Sequence, residues 1–216
     1  MTALDRRTLG WAIGLSMLAG YVDALGFIEL GGIFVSFMSG NTTKIGIAVG
    51  EGQWQIAGHV LGVIALFVVG VVLGSLLARK AKGNRWRHVL SLVAGLLALS
   101  AVAYQMNWGL LGMVLMVLAM GAENTVLRRD GVSVGLTYMT GNLVRMGHSL
   151  SDMLSGGSKR DWMRYFLLWA GLATGAILGA VSFRHLGMNG LWLGAVGAIA
   201  LCGRRPEAHL PSGAAT

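Results

Sequence analysis

The chain has 216 residues, of which 55% are hydrophobic and 12% are charged, and its formal net charge is +8. An average soluble domain carries about 25% charged residues, so this composition argues against a soluble protein. A basic chain can also indicate nucleic-acid binding. Here the basic residues lie in short segments between long apolar runs, and we expect no nucleic-acid partner. The composition predicts an all-α integral membrane protein, and the lipid bilayer is therefore an expected partner.

Eight apolar segments follow one another, each bounded by polar or basic residues. In chain order they cover about 8–27, 33–49, 56–78, 89–105, 109–127, 132–150, 162–183 and 189–202. About 20 apolar residues are needed to cross a bilayer as a helix. The single Cys202 excludes an intramolecular disulfide, no Cys/His cluster has metal-ligand spacing, and we expect no cofactor.

One short motif occurs twice, with its two copies 101 residues apart. Residues 35–46 read VSFMSGNTTKIG, and residues 136–147 read LTYMTGNLVRMG. The same offset relates the pair Gly70 and Gly74 to the pair Gly171 and Gly175, which gives GxxxG in both halves and predicts close helix packing. The sequence therefore predicts a duplicated chain. Its predicted parts are a first half at 1–106, a second half at 107–203 and a disordered cytoplasmic tail at 204–216.

The basic residues predict the topology. If all eight segments crossed the membrane, the strongest basic cluster, at 79–88, would lie outside, against the positive-inside rule. If each motif segment instead enters and leaves by one face, that cluster and both termini are cytoplasmic. The sequence thus predicts six transmembrane helices, two broken or re-entrant segments at about 33–50 and 132–150, and an inverted repeat of two related halves in the bacterial inner membrane.

Small and polar residues in each motif predict a break in the helix at membrane depth. Glycine permits the break, and Ser, Thr or Asn can cap the half-helix that follows. The residues concerned are Ser39, Gly40 and Asn41, with Thr140, Gly141 and Asn142 in the second copy.

Three stretches resemble the YoaK-like family of bacterial membrane proteins: AGYVDALGF at 19–27, FVSFMSGNTTKIG at 34–46 and TYMTGNLVRMG at 137–147. The resemblance implies a multipass inner-membrane protein. The family is one of unknown function, so the resemblance supplies no substrate and no functional residues.

Ionisable residues inside apolar segments usually face the protein interior and mark a substrate or ion path. Each half brings one acid, Asp23 or Glu123, and one base, Lys44 or Arg145. We expect at least one of these bases to pair with an acid, and a purely structural ion pair remains an alternative. Further side chains could wall or gate such a site: Tyr21, Phe37, Tyr138 and His148.

These features predict a membrane transporter or channel for a small polar or anionic solute, with its site between the two motif breaks. The predicted binding residues are Asp23, Ser39, Asn41, Lys44, Glu123, Asn124, Thr140, Asn142 and Arg145. No GxxxxGK[ST] loop is present, so ATP is not the expected driving force. The expected partner is a small-molecule or ion substrate, and a homo-oligomer is left open. The alternatives are a non-transporting membrane scaffold and an intramembrane hydrolase using Ser39 with His148, although we expect no enzyme activity.

Overall fold

The computed structural model describes residues 6–81, 84–126, 128–129, 132–133, 139–156 and 161–203. Within these ranges the protein has eight α-helices, a 3-10 helix at Gly187–Gly190 and a two-residue β ladder that pairs Arg128–Arg129 with Val132–Ser133. The helices are α1 (Arg6–Glu29), α2 (Met38–Gly50), α3 (Trp54–Lys80), α4 (Arg85–Gln105), α5 (Gly109–Glu123), α6 (Met139–Leu154), α7 (Asp161–Leu186) and α8 (Leu191–Gly203). The all-α prediction agrees with this architecture. The predicted tail at 204–216 lies outside the described residues.

Long apolar helices identify a multipass membrane protein. Four described stretches are long and apolar enough to cross a bilayer: Arg7–Glu29, Trp54–Lys80, Arg85–Gln105 and Asp161–Gly203. The last stretch contains both α7 and α8, and α5 is a shorter apolar helix. Helix α3 exposes a broad apolar surface of the kind that lipid covers, made by Leu61, Val68, Val69, Val72, Leu73 and Leu76.

The buried core lies among α1, α4, α5 and α8. Its largest fully buried apolar side chains are Leu15, Leu25, Leu90, Leu97, Met116, Met120 and Leu191. At one end of this core, the indole N–H of Trp11 donates to the Leu201 carbonyl at 3.0 Å and joins the start of α1 to the end of α8. These two helices therefore run antiparallel.

Contacts along α4 fix its direction relative to α8 and α1. The Gln105 amide, at the end of α4, donates to the Asn189 amide oxygen at 2.8 Å, just before α8 begins. Near the start of α4, Ser91 Oγ lies 3.7 Å from Cys202 Sγ, near the end of α8. Helices α4 and α8 are therefore antiparallel. Helices α1 and α4 begin on the same side, because the rings of Trp11 and Trp86 pack edge to face with centroids 5.8 Å apart.

Glycines bring α7 against α1 along the first seam. A Cβ atom on Gly175 would lie 2.0 Å from the Met17 carbonyl oxygen, and one on Gly179 would lie 2.3 Å from that of Tyr21. One turn earlier, a Cβ on Gly171 would lie 3.0 Å from Ile13. Only a residue without a side chain permits backbones to approach this closely.

A second glycine seam joins α3 to α5. A Cβ on Gly70 would lie 2.4 Å from the Leu118 carbonyl oxygen, and one on Gly74 would lie 2.9 Å from the Ala122 Cα. The predicted packing role of both GxxxG pairs is therefore confirmed.

The two seams make matching contacts. Gly175 faces Met17 as Gly70 faces Leu118, and Gly179 faces Tyr21 as Gly74 faces Ala122. Met17 and Leu118 are 101 residues apart, whereas Gly70 and Gly175 are 105 apart. The counterparts of Gly70 and Gly74 are therefore Gly175 and Gly179, and the predicted match to Gly171 and Gly175 is wrong by four residues, about one helical turn.

The two motif helices pack on the outside of the molecule, α2 against α3 and α6 against α7. Helix α2 begins at Met38, and α6 is described from Met139. Residues 30–37, before α2, are not helical, whereas Ser39, Gly40 and Asn41 lie in the first turn of α2. The predicted break at Gly40 is therefore wrong, because the non-helical stretch precedes the Ser-Gly-Asn triplet.

Candidate functional site

The chain turns back sharply after α1. The Gly32 N–H donates to the Phe27 carbonyl at 2.7 Å, and the Gly31 N–H donates to that of Ile28 at 3.4 Å. This pair of bonds is the Schellman ending of a helix, which needs a left-handed residue. Gly31 and Gly32 supply it with φ angles of 61° and 92°. The turn sends residues 33–37 back along the end of α1.

Asp23 holds this returning segment in place. One of its carboxylate oxygens, Oδ1, accepts the backbone N–H groups of Val35 and Ser36, each at 2.8 Å. Val35 and Ser36 are themselves buried. Hydrogen bonds to a charged acceptor are stronger than neutral ones, so the carboxylate stabilises an otherwise irregular stretch of backbone. Asp23 lies six residues before the end of α1, about 9 Å along the axis, and the segment returns to that depth.

Asn41 completes the same structure from α2. Its side chain is 0% exposed. The side-chain oxygen accepts the Phe34 N–H at 3.0 Å, and the side-chain nitrogen donates to the Phe34 carbonyl at 2.7 Å. The amide pairs with the Phe34 backbone much as a neighbouring strand would. Asn41 therefore latches the returning segment and does not act as the predicted N-cap.

The first turn of α2 satisfies its polar groups locally. Phe37 is the N-cap residue, and no side chain caps the helix. The hydroxyls of Thr42 and Thr43 donate to the carbonyls of Met38 and Ser39, while the Ser39 side chain is exposed. A Cβ on Gly40 would lie 2.5 Å from the ring of Phe37. Gly40 thus makes room for an aromatic ring, which explains its presence without a chain break.

Lys44 does not form the predicted ion pair. Its ammonium group donates to the Gly32 carbonyl and lies 6.0 Å from the centre of the Phe27 ring. Within the described part of the chain neither Asp23 nor Glu123 takes part in an ion pair, whereas Arg164 pairs with Asp161. A carbonyl at the α1 turn lies within reach of Lys44, so the amine neutralises no acid.

Glu123 is the least satisfied polar side chain of the predicted set. It is 0% exposed, and within the described ranges neither carboxyl oxygen has a hydrogen-bond partner. Asp23 is near enough to act on it electrostatically. The two acids belong to α1 and α5, which pack together where Gly26 approaches Met116. The neighbouring Asn124 donates to the Met120 carbonyl at 3.0 Å.

The second motif copy is more exposed than the first. Helix α6 buries none of its residues. The Asn142 amide lies 3.7 Å from Met139 Sδ, as the Asn41 amide does from Met38 Sδ. Asn142 is nevertheless only half-buried, and a further set of α6 residues is exposed: Thr140, Arg145 and His148.

The structure does not bring the two motif helices together. Helices α2 and α6 share no contact among the described residues. Ser39 and His148, the proposed hydrolase pair, are exposed on these separate helices. The nine predicted site residues therefore lie in three places. One set surrounds Asp23 and Asn41, a second lies on α6, and Glu123 and Asn124 lie at the end of α5.

Two aromatic residues have structural roles, and one is not described. The Tyr21 hydroxyl donates to the Gly190 carbonyl at 2.8 Å and lies 2.7 Å from the Ser182 hydroxyl. It therefore ties α1 to α7 and to the 3-10 helix. Phe37 is 38% exposed and packs edge to face on Phe34. Tyr138 lies outside the described residues.

The groups that Asp23 and Asn41 bind are backbone atoms of Phe34, Val35 and Ser36, which no side-chain pattern in the sequence reveals. The consecutive Gly31 and Gly32 were the available signal, because two left-handed residues after a helix predict a reversal.

Two prominent surface depressions are lined by 52–56 and by residues between 77 and 92, and neither includes a predicted site residue. In the described ranges no cluster of three His, Cys, Asp or Glu side chains could hold a metal ion.

Comparisons with known proteins agree with this picture of a membrane protein. Residues 11–203 match the family described as Protein of unknown function (DUF1275). The chain is 36% identical over 199 residues to the UPF0700 transmembrane protein RA0705 of Rhizobium meliloti (strain 1021), with 91% of this chain and 86% of that protein covered. It is 28% identical over 151 residues to the UPF0700 transmembrane protein YoaK of Bacillus subtilis (strain 168), with 65% and 66% covered. No solved structure matches the chain. The resemblance to the YoaK-like family is thereby confirmed.

Proposed function

This chain belongs to the DUF1275 family of transmembrane proteins of unknown function, and on that premise we propose that it is a transporter or channel for a small polar solute. The solute would pass between two related halves, close to the contact of α1 with α5. The proposal has three supports: the way the halves pack, the directions of the helices, and the buried Glu123.

The packing of the helices supports an inverted repeat. Helix α1 of the first half packs on α7 of the second, and α5 of the second half packs on α3 of the first. These two contacts exchange when each helix is replaced by its counterpart in the other half. The contacts of α2 with α3 and of α6 with α7 correspond in the same way. Such an exchange is expected of halves related by a two-fold axis.

Helix directions support six crossings with two re-entrant motif segments. If all eight α-helices crossed the membrane, α4 and α8 would run in the same direction. They are antiparallel, and α1 and α4 begin on the same side. Both relations follow if α2 and α6 each return to the face from which their segment entered. The return of Val35 and Ser36 to the depth of Asp23 is consistent with this arrangement. On the positive-inside rule, both termini are then cytoplasmic.

Glu123 is the observation that carries the functional proposal. A carboxyl group that is buried without a partner is costly in any protein and more so within a membrane. If this position served stability alone, an apolar residue of similar volume would make the folded protein more stable. Its position on α5, within electrostatic reach of Asp23 on α1, suggests that it serves a solute that arrives between the halves.

The geometry favours a neutral or cationic solute over the anionic one that the sequence predicts. The anion prediction relied on Lys44 and on free amide groups at the motif breaks. Lys44 donates to the Gly32 carbonyl, and the amides of Val35 and Ser36 are bound to Asp23. Asp23 and Glu123 are then the ionisable side chains at the contact of α1 with α5, and carboxyl groups can accept hydrogen bonds from a neutral or cationic solute.

A membrane scaffold is the second candidate. Asp23 and Asn41 bind backbone groups, and neither residue lines either of the two prominent depressions. These features suit a static support, but they leave Glu123 without a purpose. Hydrolysis has no such support, because Ser39 and His148 lie on helices without mutual contact in the described ranges.

Solute flux into proteoliposomes tests the proposal. Vesicles with purified protein would be mixed with a panel of small solutes, namely glycerol, urea, choline and acetate, and swelling followed by light scattering. We expect faster entry of at least one neutral or cationic solute than in protein-free vesicles. Glu123→Gln should reduce that flux about tenfold or more, whereas Glu51→Gln, at an exposed acid in the turn after α2, should not. Entry no faster than in empty vesicles for the whole panel would favour the scaffold.

A further inference from the structure

A depression between the end of α3 and the start of α4 combines apolar and polar walls. It is lined by Leu77, Asn84, Arg87, His88, Ser91 and Leu92, which we call the basic cleft. The four polar members are exposed, and the two leucines are half-buried. A molecule in the cleft would therefore meet both hydrogen-bond donors and apolar side chains.

Uncompensated positive charge surrounds the basic cleft. Arg79 and Lys80 end α3, Arg85 and Arg87 begin α4, and all four are exposed. None of the four forms an ion pair or a side-chain hydrogen bond with the residues that the structure describes. The cleft thus offers its donors to an external negative charge.

Contacts from α8 and α1 hold the start of α4 in place, so the basic side chains extend from a fixed stretch of backbone. Cys202 Sγ donates to the Arg87 carbonyl at 3.6 Å and lies 3.7 Å from Ser91 Oγ. Trp86 packs edge to face on Trp11. Tryptophan concentrates at the level of lipid headgroups, and the half-buried Trp86 indicates that the cleft lies at the same level.

The neighbouring surface leads directly into the hydrocarbon layer. Leu76 directly precedes the lining residue Leu77 on α3, Leu73 lies one turn earlier, and both side chains are exposed. They continue the lipid-covered surface of that helix. A ligand with a phosphate at the basic residues could lay apolar chains along Leu76 and Leu73, which a free phosphate or an acidic peptide could not do.

We propose that the basic cleft binds the headgroup of an anionic phospholipid, with the phosphate at Arg87 and His88 and the acyl chains against α3. Arginine and lysine near a membrane surface each add attraction for anionic lipid, enough for about a fivefold change in affinity per residue. Arg79, Lys80 and Arg85 strengthen the attraction from the rim. The site is independent of the solute path, because the cleft contains none of the residues assigned to that path.

Lipid-dependent thermal stability tests this site with a matched control. Purified protein in a neutral detergent would be titrated with dioleoyl phosphatidylglycerol or dioleoyl phosphatidylcholine while its unfolding temperature is followed. The anionic lipid should raise that temperature and the zwitterionic lipid should not. The double variant Arg87→Gln/His88→Gln should need about tenfold more phosphatidylglycerol for the same rise. Arg184→Gln/His185→Gln, which removes the same two residue types from the exposed end of α7, should behave as wild type.

Three results would overturn the proposal: equal stabilisation by the two lipids, equal losses in the two double variants, or full stabilisation by inorganic phosphate alone. If the Arg87→Gln/His88→Gln variant does not fold, Arg79→Gln/Lys80→Gln provides the second measurement. These two side chains are exposed at the rim, and their loss should weaken the response to phosphatidylglycerol while leaving the unfolding temperature without lipid unchanged. An unchanged response would also overturn the site.

Discussion

The first motif copy is anchored to the body of the protein, whereas the described part of the second copy lies against it more loosely. Around α2, Asp23, Asn41 and Lys44 all bind backbone groups of residues 32–36. Their counterparts in the second half are Asn124, Asn142 and Arg145. Of these, Asn142 is half-buried, Arg145 is exposed, and α6 buries no residue.

The difference shows that two copies of one motif can contribute unequally to the free energy of unfolding. The two copies share Met, Gly and Asn at the same places, and each Asn lies beside its Met sulfur. One difference precedes the motif: residue 23 is an aspartate within α1, and residue 124, directly after α5, is an asparagine. A carboxylate can hold two N–H groups with charge-assisted bonds, and an amide oxygen holds them more weakly. We therefore expect paired substitutions to have unequal effects in the two halves.

The largest effect is expected at Asp23. Asp23→Ala leaves the amides of Val35 and Ser36 without their acceptor, which should lower the free energy of unfolding by about 3 kcal/mol. Asp23→Asn gives the first half the residue of the second and keeps an acceptor oxygen, so we expect a loss of about 1 kcal/mol. Denaturant unfolding in detergent micelles measures both. Equal losses for the two variants would mean that a neutral acceptor oxygen contributes nothing and that the charge of the carboxylate supplies the whole effect.

The next effect compares the two motif asparagines. Asn41→Ala removes both bonds to Phe34 from a buried site and should cost about 2 kcal/mol of unfolding free energy. Asn142→Ala, at a half-buried position, should cost less than about 1 kcal/mol. The same unfolding measurement serves for both. Equal costs would contradict the comparison and would indicate that residues 134–138 bind Asn142 as Phe34 binds Asn41.

The smallest effect compares the two motif cations. Lys44→Met removes the bond to the Gly32 carbonyl and should lower the free energy of unfolding by about 1 kcal/mol. Arg145→Met, at an exposed position, should change it by less than about 0.5 kcal/mol. Unfolding curves of the two variants, recorded side by side with wild type, check this order. A larger loss for Arg145→Met would reverse the assignment of the anchored copy.

The helices and their close packing could be predicted because both have simple sequence signals. Long apolar runs identify membrane helices, and Gly70, Gly74, Gly171 and Gly175 lie four apart, where only small residues permit contact. The position of the chain break could not be predicted in the same way. Ser39 and Asn41 are good N-cap residues, but α2 begins at Met38 with the uncapped Phe37 before it. Asn41 instead forms hydrogen bonds with the Phe34 backbone. These bonds depend on the path of residues 33–37, which the sequence does not reveal.

The candidate site was harder to predict than the fold for a related reason. Opposite charges on neighbouring helices suggested ion pairs between Lys44 or Arg145 and an acid. In the structure a carbonyl group satisfies Lys44 and two backbone amides satisfy Asp23. Almost every residue type offers the same backbone N–H and C=O groups. Rules that pair side chains by their charge therefore cannot predict a backbone partner. Glu123 was identified from sequence, because an acid inside an apolar run stands out whatever surrounds it.

The matching contacts of the two glycine seams bear on the origin of a fused chain. Two identical subunits around a two-fold axis must form identical seams. In this molecule Gly175 faces Met17 as Gly70 faces Leu118, and Gly179 faces Tyr21 as Gly74 faces Ala122. Two separate copies of one half could therefore form the same pair of seams. The three residues 106–108 that join α4 to α5 place both seams in one chain, so that each half can change its sequence independently.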